Sequence, residues 1–402
     1  MDKPIIKGLI LFCTVPIIIG KSEYFCVNSF AEMNNSTVTL PCSLSSPSIA
    51  TKIVLTAVYA VIAIIALLGN CAIITIARTK KRIRKVPFNF FIISLAVADI
   101  FDALVSVPIS VLVMYSGDRW FGGLIGDITC KLVHFLNAVS LAASVFTLIA
   151  LSADRYLAIA HVFRKPLSKR HVKLVVLLLW LLAAASLCTV FIKYRVRGGN
   201  KGYKCFGRWS DDLETNLRYY KIEVGAKFTF LYVVPLLLMA VMYFLTILVL
   251  KKRQVFVENM SQVRVQAQNV GVIKMLVTVV FLFAFCWIPN YIALFMIAFA
   301  YNKLECWPLF LVWSLFVPSH VNGAINPCIY LVFNESYRKG LKRLLANCLK
   351  QPAVDSVTRR TNQWSGFSTL ERDPSRRGIK GFFRDLSRKT SESDEVTYET
   401  RF

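Results

Sequence analysis

The chain carries seven separate apolar stretches, near residues 53–78, 88–114, 129–160, 172–194, 222–250, 270–300 and 307–333. Each can cross a hydrocarbon layer about 30 Å thick, which takes about 20 helical residues. No other feature constrains the fold so strongly, because a peptide group in lipid must find its hydrogen bond inside the protein. The expected fold is an all-α membrane protein, a seven-transmembrane helix bundle with a short amphipathic eighth helix. Composition agrees, with 56% hydrophobic residues and a formal net charge of +25. A basic excess also marks nucleic-acid binders, but the apolar runs exclude that class and put the positive charge at the lipid surface.

Ahead of the first span lies GLILFCTVPIIIG (8–20), behind Lys3 and Lys7. It is too short to span comfortably, and is either a secretory signal over 1–22 or a retained apolar N-terminus. Residues 23–52 then form an outer segment and 53–333 the bundle. In NESYRKGLKRLLANC (334–348), Tyr337, Leu341, Leu344 and Leu345 recur at helical spacing against Arg338, Lys339, Lys342 and Arg343. That pattern describes a helix lying on the membrane surface. Cys348 at its end is either a palmitoylation site or a plain juxtamembrane cysteine. The tail, 349–402, is polar and is expected to be disordered. Its Thr390, Ser391, Ser393, Thr397 and Thr400 interleave with acids, which suits phosphorylation or mere solubility. No internal repeat is present, which counts against a transporter built from duplicated halves.

Short basic loops stay on the cytoplasmic side. TKKRIRKV (79–86) joins the first two spans with five Lys/Arg and no acid, and HVFRKPLSKRHVK (161–173) joins the third and fourth likewise. The N-terminus is therefore expected outside and the C-terminus inside, at the plasma membrane. The overlapping sequons at Asn34 and Asn35 suit that orientation, as glycosylation acceptors. So do the outer cysteines Cys26, Cys42, Cys130, Cys205 and Cys306, since disulfides persist there. Cys26–Cys42 would leave Cys306 free, whereas a bridge from either to Cys306 would pin the N-terminus over the bundle.

Polar groups inside lipid mark function by default. Asn137, Ser144 and Arg155 lie near one face of the third span, with Asn137 about 27 Å from Arg155 at 1.5 Å per residue. Asn70, Asp99, Asn322 and Asn326 sit within other spans. One carboxylate with amide and hydroxyl oxygens can cage a small hard cation or can simply tie helices together. Two charged sites stand out in the spans, Asp99 and the Asp154–Arg155 pair. Pro235, Pro289 and Pro327 interrupt helical hydrogen bonding, and Pro289 follows Trp287, with Phe283 one turn below. No paired carboxylates, metal-ligand cluster or nucleophile–base set occurs within the spans, so no enzyme is expected.

Together, GN (69–70), LAVAD (95–99), DRY (154–156), Trp180, Pro235, CWIP (286–289) and NPCIY (326–330) resemble the rhodopsin-like G-protein-coupled receptors over about 53–348. The resemblance implies a Cys130–Cys205 disulfide and an allosteric sodium ion held by Asp99, Ser144, Asn322 and Asn326. It implies activation switches at Val145, Pro235, Phe283, Trp287, Pro289 and Pro327. It implies, too, that Arg155 leaves Asp154, within the Asp154-Arg155-Tyr156 triplet, for Tyr243 and Tyr330 as an inner cavity opens. Arg155 and Phe163 would contact a heterotrimeric G protein. Arrestin and receptor kinases would act at the tail, and membrane lipids would surround the bundle. Asn269 stands where many members have an acid that restrains the arginine, so appreciable basal activity is expected. Gly323 replaces a common serine beside the sodium site.

On the same resemblance, the ligand site would comprise Asn137, Leu141, Asn290, Tyr291, Leu294, Phe316 and His320. Asn137 occupies the place of the aspartate that pairs an amine, so a monoamine ligand is not expected. His320 occupies the place of the retinal lysine, so a photopigment is not expected. VIKMLVTVVFLFAFCWIP (272–289) and INPCIYLVFNESYRKGLKRLL (325–345) look like receptors of the neuropeptide FF, neuropeptide Y and tachykinin groups. A peptide ligand is expected, under a strand-like lid at YKCFGRW (203–209). The alternatives are a small non-amine or lipid mediator on the same fold and, from another class, a seven-span transporter.

Overall fold

The computed structural model describes residues 47–161, 167–199, 202–254, 260–300 and 309–349. Contacts divide the chain into two units, Met1–Leu341 and Lys342–Phe402. Among the described residues of the first, six helices are long and apolar enough to cross a membrane: α1 Ile49–Thr79, α2 Asn89–Ser116, α3 Gly123–Ala160, α4 Lys169–Lys193, α5 Leu213–Lys252 and α6, whose apolar part is Ala267–Phe299. A seventh, α7, comes in two pieces, Leu309–Ser314 and Val317–Phe333. The break precedes Pro318, which has no N–H to give Ser314 and whose ring would strike that carbonyl. Helix α8, Glu335–Leu349, begins in the first unit and supplies the described part of the second.

Helix starts follow local chemistry. The side chains of Ser48, Ser168 and Asp212 accept from the backbone N–H three residues on, at 3.1, 3.4 and 2.8 Å, at the heads of α1, α4 and α5. Each satisfies an N–H that the helix itself leaves orphaned. Gly117, at φ +66°, closes α2 in a conformation that costs glycine little.

Two transmembrane helices contain a π turn, Asp102–Ser106 in α2 and Thr229–Val233 in α5. Each precedes a proline, Pro108 or Pro235, that cannot complete the regular ladder. The wider turn takes up the lost bond: the N–H of Val107 reaches the Asp102 carbonyl, and that of Val234 the Thr229 carbonyl. Such a turn adds a residue and re-aims the side chains around it.

Helix α1 packs on α2 and α7, α3 on α2 and α5, and α6 on α7. The α1–α7 approach needs Gly69, where a Cβ would fall 2.8 Å from Pro327 Cγ. The core joins Phe91, Leu95, Leu148, Phe283, Trp287 and Tyr330. Leu177, Leu181, Phe244 and Phe281 point outward, more than half exposed, as lipid-facing side chains do.

A hairpin after α4, β2 Tyr194–Gly199 and β3 Gly202–Gly207, joins β1 Arg119–Trp120, from the turn between α2 and α3, in a small antiparallel sheet of order β1-β3-β2. Val196 pairs with Cys205 in the β2–β3 hairpin. Cys205 is disulfide-bonded to Cys130 near the start of α3, with the Cα atoms 5.8 Å apart. The hairpin is thus fixed to one end of the bundle.

Candidate functional site

At the end of α3 far from the disulfide, Arg155 Nη2 lies 2.5 Å from Asp154 Oδ2, and its Nε donates to the same oxygen at 3.0 Å. Both side chains are mostly buried, 16% and 13% exposed. The guanidinium also sits 4.0 Å from the centre of the Phe88 ring, at the foot of α2. Asn269 makes no hydrogen bond to Arg155. The hydroxyls of Ser152 and Tyr243 are joined at 2.6 Å. Tyr330 is fully buried with no hydrogen-bond partner for its hydroxyl among the described residues. The arginine is therefore latched to its neighbour and an aromatic face, and neither tyrosine holds it. Tyr156 packs edge-on against His161, 6.3 Å away.

Midway along the bundle, Asp99 is buried and accepts from Asn326 Nδ2 at 2.9 Å. Asn70 donates to the carbonyls of Ala66 and Gly323, at 2.9 and 3.0 Å, which leaves its Oδ1 without a partner among the described residues. Ser144 and Asn322 are buried as well. A Cβ at Gly323 would lie 3.4 Å from Asp99, in van der Waals contact with it, so that position forms part of the wall. One buried carboxylate with amide and hydroxyl oxygens is chemistry that suits a hard cation rather than a softer metal.

One turn nearer the disulfide, the π turn presents Asp102 to His320 of α7. His320 Nδ1 lies 3.0 and 3.2 Å from the two carboxylate oxygens. His320 is buried, stacks edge-on to Tyr59 at 5.6 Å, and its Nε2 lies 3.5 Å from the Ser110 hydroxyl. Beside it, Ser106 donates to Asn137 Oδ1 at 2.7 Å. Of the other residues expected to meet a ligand, Asn290, Leu294 and Phe316 are buried and Leu141 half-buried. Asn290 Oδ1 and Trp287 Nε1 have no hydrogen-bond partner among the described residues. Tyr291 turns toward α5, with its ring 5.0 Å from Tyr232 and 5.2 Å from Phe228. Phe283 and Trp287 pack at 6.0 Å. Val145, Pro235 and Pro327 are buried in the same interior, and Pro289 is half-buried in α6.

Below the hairpin, a charged trio lies almost wholly out of solvent. Glu223 of α5 meets Lys193, at the end of α4, at 2.8 Å and Lys227 at 2.6 Å, each group 2–3% exposed. Trp209 Nε1 donates to the same carboxylate at 2.7 Å. Mutual pairing offsets much of the desolvation these charges suffer. In the loop above, a hydrogen bond from Arg197 and its charge hold the Asp211 carboxyl below its ordinary range. Bonds from Thr215 do the same for Asp212.

The count of two charged intramembrane sites is thereby corrected. Asp102, Glu223 and Lys227 also lie within spans, and each has a partner. Asp102 was visible in sequence, three residues from Asp99 and so on nearly the same helical face. Glu223 and Lys227 stand at the i, i+4 spacing of an ion pair. Phe88 carried no sequence signal. Phe163, Asn34, Asn35, Cys26, Cys42 and Cys306 lie outside the described residues, as does the 1–22 segment. Cys348 falls in α8, but its side chain is outside the described set.

Residues 69–330 match the model of the 7 transmembrane receptor (rhodopsin family). The chain is 30% identical over 317 residues to the tachykinin-like peptides receptor 99D of Drosophila melanogaster, covering 76% of this chain and 59% of that receptor. It is 30% identical to galanin receptor type 1 of Mus musculus, over 71% of this chain and 80% of the receptor. Against the human neuromedin-K receptor the identity is 27%, over 76% and 65% respectively.

Proposed function

The chain belongs to the rhodopsin family of seven-transmembrane receptors, and from that premise we propose that it binds an extracellular peptide and activates a heterotrimeric G protein. The observation that carries the peptide assignment is the likeness to receptors named for tachykinin-like peptides, galanin and neuromedin-K. The hairpin fixed by Cys130–Cys205 supports it, since an edge of paired strands offers backbone groups to an extended chain. The ligand enters from the disulfide end, which faces outside the cell at the plasma membrane, and the α8 end faces the cytoplasm. Ligand contacts near Asn137, Asn290 and His320 bias the Phe283–Trp287 aromatic pair beside Pro289. That bias swings the far end of α6, frees Arg155 from Asp154, and opens the G-protein site.

Asp99, Ser144, Asn322 and Asn326, with Asn70 beside them, would hold a sodium ion, which supplies a fixed positive charge opposite the buried carboxylate. Asn34 and Asn35 accept glycans, Cys348 is palmitoylated, and kinases and arrestin act on the tail. The test is a secreted-peptide library applied to cells expressing the chain with a promiscuous Gα subunit, read as ligand-dependent nucleotide exchange. A peptide that drives exchange is the expected result. Exchange driven by small or lipid mediators alone would overturn the peptide assignment.

A further inference from the structure

Between α5 and α6, on the face that looks into the lipid, lies an apolar groove of about 680 Å³. It runs along α6 from Ile288 to Phe299, about 16 Å at 1.5 Å per residue, and its α5 wall is Phe228 and Tyr232. Aromatic rings dominate it: Phe228 meets Phe295 edge-on at 5.1 Å, and Phe295 stacks on Phe299 at 5.8 Å. Ile288, Ile292 and Phe299 are 44%, 47% and 57% exposed, so the groove opens sideways to the bilayer.

The outer end of the groove is cationic. Lys221 Nζ lies 5.7 Å from the centre of the Phe299 ring, which holds the ammonium over the groove mouth by attraction to the ring face. Arg218, one turn earlier on the same face of α5, is also exposed. Neither forms an ion pair with a carboxylate among the described residues. A long apolar slot with Lys221 at its mouth, and the exposed Arg218 a turn further out on α5, is complementary to an amphiphile with an anionic head. One slot beneath one cationic mouth takes a single acyl chain and a single anionic head.

We propose that this groove is a binding site for a long-chain fatty acid, its carboxylate on Lys221 and Arg218 and its chain between α5 and α6. The floor gives the site a route to the receptor's switch. Tyr232 donates to the Ala284 carbonyl at 2.8 Å and its ring lies 6.2 Å from Phe283, while Tyr291 lies 6.2 Å from Trp287. A chain in the groove presses on rings that pack directly against the Phe283–Trp287 pair.

The test uses the full-length receptor in phosphatidylcholine nanodiscs with a diazirine-bearing oleate. Saturable labelling confined to α5 and α6 is expected, competed by oleate and not by methyl oleate. Lys221→Gln with Arg218→Gln raises the half-saturating concentration about tenfold or more, the worth of a charge-assisted contact. Ile292→Trp fills the slot from its lipid-facing side and abolishes labelling, whereas Leu178→Trp on the lipid face of α4 leaves it intact. Unsaturable label on every helix would mean bulk acyl chains only, and equal competition by methyl oleate would remove the head contact; either overturns the proposal. Lysophosphatidate competing where oleate fails overturns the carboxylate assignment. Should Ile292→Trp not fold, the charge variants decide alone. No peptide ligand enters the assay, so its failure is distinct from failure of the peptide assignment.

Discussion

Replacing Phe88 with leucine tests what restrains Arg155 in the resting state. The chain has Asn269 where an acid on α6 would restrain Arg155, and the guanidinium rests instead on the Phe88 ring, 4.0 Å from its centre. With the arginine only 16% exposed, such a contact is worth about 1–2 kcal/mol. Leucine keeps the apolar bulk and removes the π face, so the resting state should lose about that much. At RT of about 0.6 kcal/mol, the ratio of active to resting receptor rises about five- to thirtyfold. A receptor about 1% active before the change becomes about 5–20% active after it. Agonist-free nucleotide exchange on Gα, per receptor at the cell surface, measures this directly. Phe88→Tyr keeps a ring face and should stay near the parent. Two results would refute the reasoning: Phe88→Leu signalling no more than the parent, or Phe88→Tyr signalling as much as Phe88→Leu.

Glu223→Gln leaves two buried ammonium groups facing a neutral amide, and should cost about 3–5 kcal/mol, seen as lost surface expression. Adding Lys227→Met should restore part of it, and no recovery would mean that the charge is not the cause. Asp102→Asn weakens the tie to His320, lowering the melting midpoint of purified receptor by the equivalent of about 1–2 kcal/mol; an unchanged midpoint would show that the pair carries no stability. Asp99→Asn should abolish any effect of replacing sodium by a bulky organic cation on agonist-free exchange, and a persisting sodium effect would place the ion elsewhere.

Seven spans, their order and the triplet at 154–156 were legible because lipid imposes a local rule. Each segment must satisfy its own backbone, so length and apolarity alone identify it. Single residues with distinctive chemistry inside those spans, such as Asp99 and Arg155, were legible for the same reason. The prolines announced that helices would deviate, but not how. Similar prolines give π turns in α2 and α5 but a break at Leu315–Phe316 in α7, a difference that the prolines alone do not encode.

What the sequence determined by itself is therefore the seven-span helical fold and the receptor family. What only the tertiary structure decided is which groups meet. His320 and Asp102 are 218 residues apart in the chain and 3.0 Å apart in space. Phe88 is one more aromatic residue until the bundle lays it on Arg155, and Lys193 and Glu223 come from different helices. Inside lipid a buried charge is tolerable only with a partner, and partners across a helix bundle are chosen by packing, which no local pattern in the chain records.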